Sequence, residues 1–265
     1  MADTVFMIHG MWGSAWYWQN YKSVFEKAGY RCIATTLRYH EMNPKASPDP
    51  RLGSTSLLDY AEDLEREIRS LGDKPIIMGH SMGGLLAQML GSRGLAKALV
   101  LLTPASPSGI IPIRVSVVRS FLSVLLHWGF WRRPMRQTTN EAVYSMLQLL
   151  SPPEQRDAYD RFVYESGRAF CEIGFWPLDP RGAARVDETK VTCPMLVIGG
   201  AQDRITPVSV VRRVAKKYRK VAAYKEFSNH AHWVVGEPQW EEVAEFALQW
   251  LSTLNAKRAP MSAVS

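Results

Sequence analysis

The chain has 265 residues, 46% hydrophobic and 22% charged, an ordinary globular composition with enough length for one large core. Its net charge of +7 fits anionic partners, but equally fits plain solubility, and it does not by itself call for nucleic acid. Three scattered cysteines (Cys32, Cys171, Cys193) argue against a zinc site or a disulfide framework and suit a reducing, cytoplasmic setting; the N-terminus lacks the pattern of a signal peptide, and no run of roughly 18 apolar residues predicts a transmembrane helix.

Residues 4–10, "TVFMIHG", are an almost continuous apolar run that reads as a strand buried on both faces. Residues 14–30 read as a helix closing at Gly29, and 31–37 as a second strand. A helix follows over 56–72, with Ser56 and Asp59 in a capping arrangement and apolar residues Leu58, Ala61, Leu64, Ile68 and Leu71 at helical spacing. Residues 74–80 predict a third strand, 82–94 the helix behind it, and 96–104 a fourth strand.

From Pro107 to Asp187 the alternation stops, and helices are predicted over 116–128, 139–150 and 152–173. It resumes with a strand at 193–200, a helix at 207–220, a strand at 221–227 and a closing helix at 238–254. The last residues, 255–265, read as a frayed tail. The pattern predicts an α/β fold: a mainly parallel sheet of about six strands flanked by helices, built from 1–106 and 188–265, with 107–187 as a helical cap.

Ligands of such sheets bind beyond the C-terminal strand ends. His9 and Gly10 follow the first strand there, Ser81 the third, Asp203 the fifth and His232 the sixth. A serine, an acid and a histidine thus fall at one sheet edge in that chain order. The stretch "GHSMG", with strand before and helix after, resembles the nucleophile elbow of the α/β-hydrolase superfamily. Glycines at 79 and 83 would let the backbone turn tightly and lift the serine hydroxyl off the sheet.

The resemblance implies a catalytic triad of Ser81, Asp203 and His232, and an oxyanion hole from the backbone N–H groups of Met11 and Met82. Asp179 and Asp187 are the rival acids. His232 is preferred over His230 because Glu237 follows it at the family's spacing, which leaves His230 to brace the loop or line the entrance. His9 and His80 read as structural, His40 and His127 as incidental.

The first loop, "HGMWGSAWYW", is similar to that of the methylesterase and hydroxynitrile-lyase branch. Lyases of that branch carry a lysine directly after the catalytic histidine, where this chain has Trp233, which argues against cyanohydrin chemistry. Ser81 argues against the aspartate-nucleophile dehalogenases and epoxide hydrolases; cofactor-free haloperoxidases share the serine triad. The implied activity is hydrolysis of a carboxylic ester of a small, largely hydrophobic substrate, with no metal and no organic cofactor. Lactone, thioester, amide or C–C substrates stay open, as does a weakly catalytic binding protein on the same fold.

Apolar residues of the first loop, the cap and the histidine loop are the pocket candidates: Trp12, Phe121, Leu125 and Trp128, then Phe162, Phe170, Phe175, Trp176 and Trp233. Between Pro107 and Asn140 the cap has five arginines and no acidic residue. They are either the solvated face of a lid or a weak contact with an anionic membrane surface.

Overall fold

Apolar runs become the inner strands, and glycines or capping residues stop the helices between them. The computed structural model describes residues 2–258. In chain order it forms β1 (Thr4–Ile8), α1 (Gln19–Lys27), β2 (Arg31–Ala34), α2 (Leu57–Ser70), β3 (Ile76–His80), α3 (Met82–Ser92) and β4 (Ala98–Leu102). The segment between β4 and the next long strand carries α4 (Val115–Ser120), α5 (Leu122–Leu125), β5 (Pro134–Met135), α6 (Thr139–Ser145), α7 (Pro152–Asp160), β6 (Glu165–Ser166) and α8 (Gly167–Gly174). The core then resumes with β7 (Met195–Gly200), α9 (Val208–Lys217), β8 (Ala222–Phe227) and α10 (Trp240–Arg258).

Six strands form one sheet in the order β2-β1-β3-β4-β7-β8, every neighbouring pair parallel. Parallel pairing needs crossover helices on both faces, so the inner strands are buried on both sides. β3 and β4 are buried at every position, whereas the edge strand β8 keeps exposed residues. The chain leaves β1 towards β2 on one side and returns to β3 on the other. The switch in strand order therefore lies between β1 and β3, and a crevice opens at their C-terminal ends.

Ser56 and Asp59 form the predicted capping box on α2: the Ser56 hydroxyl accepts from Leu58 N, and Asp59 accepts from Ser56 N at 2.8 Å. α3 is buried along nearly its whole length, as the central helix behind β3. Among the described residues no helix is long and apolar enough to cross a membrane.

Differences from the sequence reading lie mostly in the inserted segment. The helix predicted over 116–128 is two short helices joined at Phe121. The one predicted over 152–173 is interrupted by β6, which pairs antiparallel with β5. The interruption has a polar cause. Glu165 turns inward to bind His40 and Tyr60 of the core, and Gly167 approaches the Phe130 carbonyl so closely that a Cβ would overlap it. At the C-terminus, α10 continues through residues 255–258 of the predicted tail; the rest of that tail, 259–265, lies outside the described residues.

Candidate active site

Ser81 sits between β3 and α3 with φ 54° and ψ −119°. A non-glycine residue in that region costs on the order of 1–3 kcal/mol, and persists only where its surroundings enforce it. Here they do. Ser81 N–H donates to the Leu102 carbonyl at 3.0 Å, and its own carbonyl accepts from Gly84 N and Ala105 N, both at 2.9 Å. A Cβ at Gly79 would overlap the Gly83 carbonyl, and one at Gly83 the Ile8 carbonyl, so only glycine fits the two flanks of the turn.

Met82 is the first residue of α3, and its N–H is one of those without an intrahelical acceptor. The partial positive charge of the helix N-terminus lies at the same place. The loop after β1 comes up beside it. Gly10 packs so tightly on the turn that a Cβ there would lie 2.9 Å from the Ser81 Cβ. Trp12 has φ 62°, and Tyr17 donates its hydroxyl to the Met11 carbonyl at 2.9 Å, which fixes the peptide that follows Met11.

His9 holds this loop from below. Its Nε2 accepts from Leu37 N–H at 3.1 Å, which leaves Nδ1 to donate to the Gly10 carbonyl at 2.7 Å. Burial, then the neighbouring charge on His40, keeps its pKa well below the usual imidazole range. His80 is also held neutral: burial and the proximity of His232 lower its pKa to about 3. Its Nε2 donates to the His232 carbonyl at 2.9 Å, and Thr103 adds a hydroxyl to the same carbonyl at 3.3 Å.

Asp203 follows β7 and is fully engaged. Oδ1 accepts from Ile205 N and Thr206 N, both at 2.8 Å; Oδ2 accepts from the Thr206 hydroxyl and from His232 Nδ1, both at 2.7 Å. Burial alone would raise its pKa, but the His232 charge and these hydrogen bonds hold it below the usual carboxylate value. The rival acids lie elsewhere: Asp179 binds Arg181 N and Ala183 N, and Asp187 binds Thr189 N.

The two histidines of the last loop divide two acids between them. His232 pairs with Asp203, while His230 Nδ1 pairs with Glu237 at 2.8 Å. Glu237 also accepts from Ala231 N at 2.9 Å. The residue that recommended His232 by its spacing therefore binds His230, and both pairs are buried.

A cavity of about 60 Å³ lies over Ser81, floored by Met11, Ser81 and Met82 and roofed by Phe121, Phe170 and Ile173. Ala105, Ser106, Ile205 and Thr206 also line it. Sequence reasoning missed these four, although each lies within four residues of a strand end or of the acid. The other pocket candidates are placed differently. Trp12, Phe162 and Trp233 are buried in an aromatic cluster beside the site, with Trp12 and Phe162 stacked at 6.5 Å and Phe162 tilted on Trp233 at 5.9 Å. Leu125 and Phe175 line a separate cleft of about 840 Å³ within the cap, and Trp176 packs against the core outside the cavity. Trp128 is 84% exposed and belongs to the surface, not to a pocket, because the helix predicted to carry it ends at Leu125 and leaves it on a turn.

Two buried carboxylates tie the cap to the core. Glu165 accepts from His40 Nε2 at 3.0 Å, from Tyr60 at 2.8 Å and from Ser166 N at 2.6 Å. His40 also donates Nδ1–H to the Arg38 carbonyl at 2.9 Å; burial lowers its pKa, but Glu165 raises it on balance. His40 is therefore a structural partner of Glu165, not an incidental histidine, and only its distant partner reveals it. Glu172 of α8 binds Ser56 and Leu57 N at the start of α2. The exposed His127 ring lies 3.3 Å from the Arg133 guanidinium. Among the described residues, no three His, Cys, Asp or Glu side chains gather as a metal-binding set.

The model of the Alpha/beta hydrolase family matches residues 5–246. Human Protein ABHD8 is 27% identical over 229 residues, covering 81% of this chain but 48% of that protein, so the chain spans about half the length of that relative. A monoacylglycerol lipase of Mycolicibacterium smegmatis is 25% identical over 257 residues, covering 93% of this chain and 87% of the lipase. Among solved structures, the methylesterase MES16 from Arabidopsis superposes with a TM-score of 0.70 at 12% identity, covering 95% of this chain and all of its own.

Proposed function

The chain belongs to the alpha/beta hydrolase family, and from that premise we propose that it is a serine hydrolase cleaving carboxylic esters of small, largely hydrophobic substrates through an acyl-enzyme. The reading rests on one convergence. His232 pairs with Asp203 at 2.7 Å and its ring packs at 4.9 Å on that of His80, the residue before the strained Ser81, while Met11 and Met82 line the cavity with Ser81.

His232, oriented by Asp203, takes the Ser81 proton as the hydroxyl attacks the ester carbonyl. Asp203 is ionised and saturated with donors, so it fixes the imidazole with Nδ1 protonated and stabilises the imidazolium that forms. The developing oxyanion falls between the Met11 and Met82 N–H groups, at the positive end of α3. His232 then returns its proton to the leaving alcohol and activates water against the acyl-enzyme. Neutral His80 holds the His232 carbonyl without placing a second positive charge beside the base.

Ester chemistry is favoured by the apolar roof of Phe121, Phe170 and Ile173, which offers a carbonyl substrate no ionic partner. The monoacylglycerol lipase and methylesterase relatives, by their names, act on esters as well. The test is labelling with a fluorophosphonate, combined with a panel of chromogenic esters. The wild-type chain should label and turn over esters, and Ser81→Ala should do neither while keeping its circular dichroism. Labelling of Ser81→Ala would remove Ser81 from its role. Labelling without turnover would make the chain a binding protein on the same fold.

A further inference from the structure

One face of the cap is apolar, basic and uncovered. Val115 and Leu126 are 88% and 76% exposed, and with exposed Val118 and Leu122 they lie on or directly beside the two short helices α4 and α5. Trp128, two residues after Leu126, is also in water. Of the large hydrophobic residues exposed among the described residues, all but Tyr224 lie between Ile111 and Leu178. A cluster of this kind marks an interaction site, unlike apolar residues scattered singly over a surface.

Charge selects the partner. Residues 107–140 hold Arg114, Arg119, Arg132, Arg133 and Arg136 and no acid. Arg114 contacts the Ile113 carbonyl, Arg119 the Tyr144 ring and Arg133 the His127 ring, so their charges face no carboxylate there. A second copy docking by two-fold symmetry would set these arginines against themselves. An anionic lipid surface would instead accept the apolar residues and neutralise the arginines together.

The same face leads inwards. Trp128 meets Trp131 edge-on at 5.1 Å, and Trp131 lines the cleft of about 840 Å³ with Phe130. Phe130 contacts Phe170 at 5.9 Å, and Phe170 contacts Phe121 at 4.7 Å; these last two roof the cavity over Ser81. Aromatic rings thus run from the exposed face to the candidate nucleophile.

We propose that this face docks on an anionic lipid surface, and that the cleft takes up the apolar part of an amphiphilic ester from it on the way to Ser81. The second clause rests on the ester-hydrolase reading; the docking does not.

The 265-residue chain is sedimented with phosphatidylcholine vesicles, with and without phosphatidylglycerol, at low and high salt. Binding is expected only with the anionic lipid, and it should weaken with salt as the Debye length shortens. Arg114→Glu with Arg133→Glu should weaken it at least roughly 25-fold, about fivefold for each arginine. Val115→Ser with Leu126→Ser should weaken it about tenfold. Neither pair should change kcat/KM on a short, water-soluble ester. No binding at low salt, or equal binding to neutral vesicles, would overturn the docking. So would a concentration-dependent dimer that the same substitutions dissolve. Vesicle binding by a chain that hydrolyses no ester would uphold the docking and overturn the ester reading alone.

Discussion

At Ser81 the φ of 54° stores strain that a glycine would release. Ser81→Gly should therefore raise stability by about 1 kcal/mol while removing hydrolysis, whereas Ser81→Ala should leave stability near wild type. Thermal melts beside ester assays separate the two effects, and a Ser81→Gly melt below wild type would deny the strain. The histidines are separated by their partners. His232→Ala and Asp203→Asn should each lower kcat at least about a thousandfold, because one removes the base and the other misdirects its tautomer. His230→Ala should keep the kinetics largely intact, although it leaves Glu237 buried with one partner fewer and costs about 3–5 kcal/mol of stability. Equal kinetic losses at 230 and 232 would break the assignment. At this scale the sequence is legible where a residue's neighbours in the chain decide its place, as at Ser81. It misleads where a distant acid decides, as with Glu237.

Among the elements, the six sheet strands and their flanking helices are legible because a strand buried on both faces needs an unbroken apolar run, and "TVFMI", "IIMGH" and "MLVIGG" supply it. The inserted segment is less legible because its short helices end for tertiary reasons. Glu165 breaks the helix predicted over 152–173, and its partners, His40 and Tyr60, lie more than a hundred residues away. That ion pair makes the cap's attachment depend on pH. His40 has its pKa raised above the unfolded value, so its contribution is fully present below about pH 6.5 and is lost as pH rises through the folded pKa. Glu165→Gln keeps the shape and removes the charge. The stability gap between wild type and this variant should be wide at about pH 6 and narrower at about pH 8.5. Urea melts at the two values would show it, and a gap independent of pH would mean that His40 is neutral. His80 and His9 work in the opposite sense. Their lowered pKa values add stability that is present above about pH 6.5 and lost as pH falls, in both proteins alike.

For the whole molecule, the sheet fixes where chemistry is possible, and the cap decides how much room a substrate has. The two spaces are unequal. The cavity over Ser81 is about 60 Å³, and the cleft within the cap is about 840 Å³. α8 stands between them. Phe170, Ile173 and Gly174 face the cavity, while Cys171, Glu172 and Phe175 face the cleft. No local sequence pattern announces this division, since it depends on how an inserted helix rotates over a distant strand end. Phe170 is part of that wall, touching Phe121 on the cavity side and Phe130 and Phe175 on the other. With the wall closed, the cavity takes a short acyl group, and longer chains must displace a packed aromatic ring. Phe170→Ala should join the two spaces. It should cost about 3 kcal/mol of stability, as expected for an emptied aromatic site. On p-nitrophenyl esters, kcat/KM should fall for acetate and rise at least about tenfold for octanoate relative to acetate, because each methylene newly buried in the cleft contributes about 0.8 kcal/mol. An unchanged chain-length profile in a folded Phe170→Ala protein would mean that the cleft and the cavity do not communicate through this residue, and that long acyl chains reach Ser81 by another path.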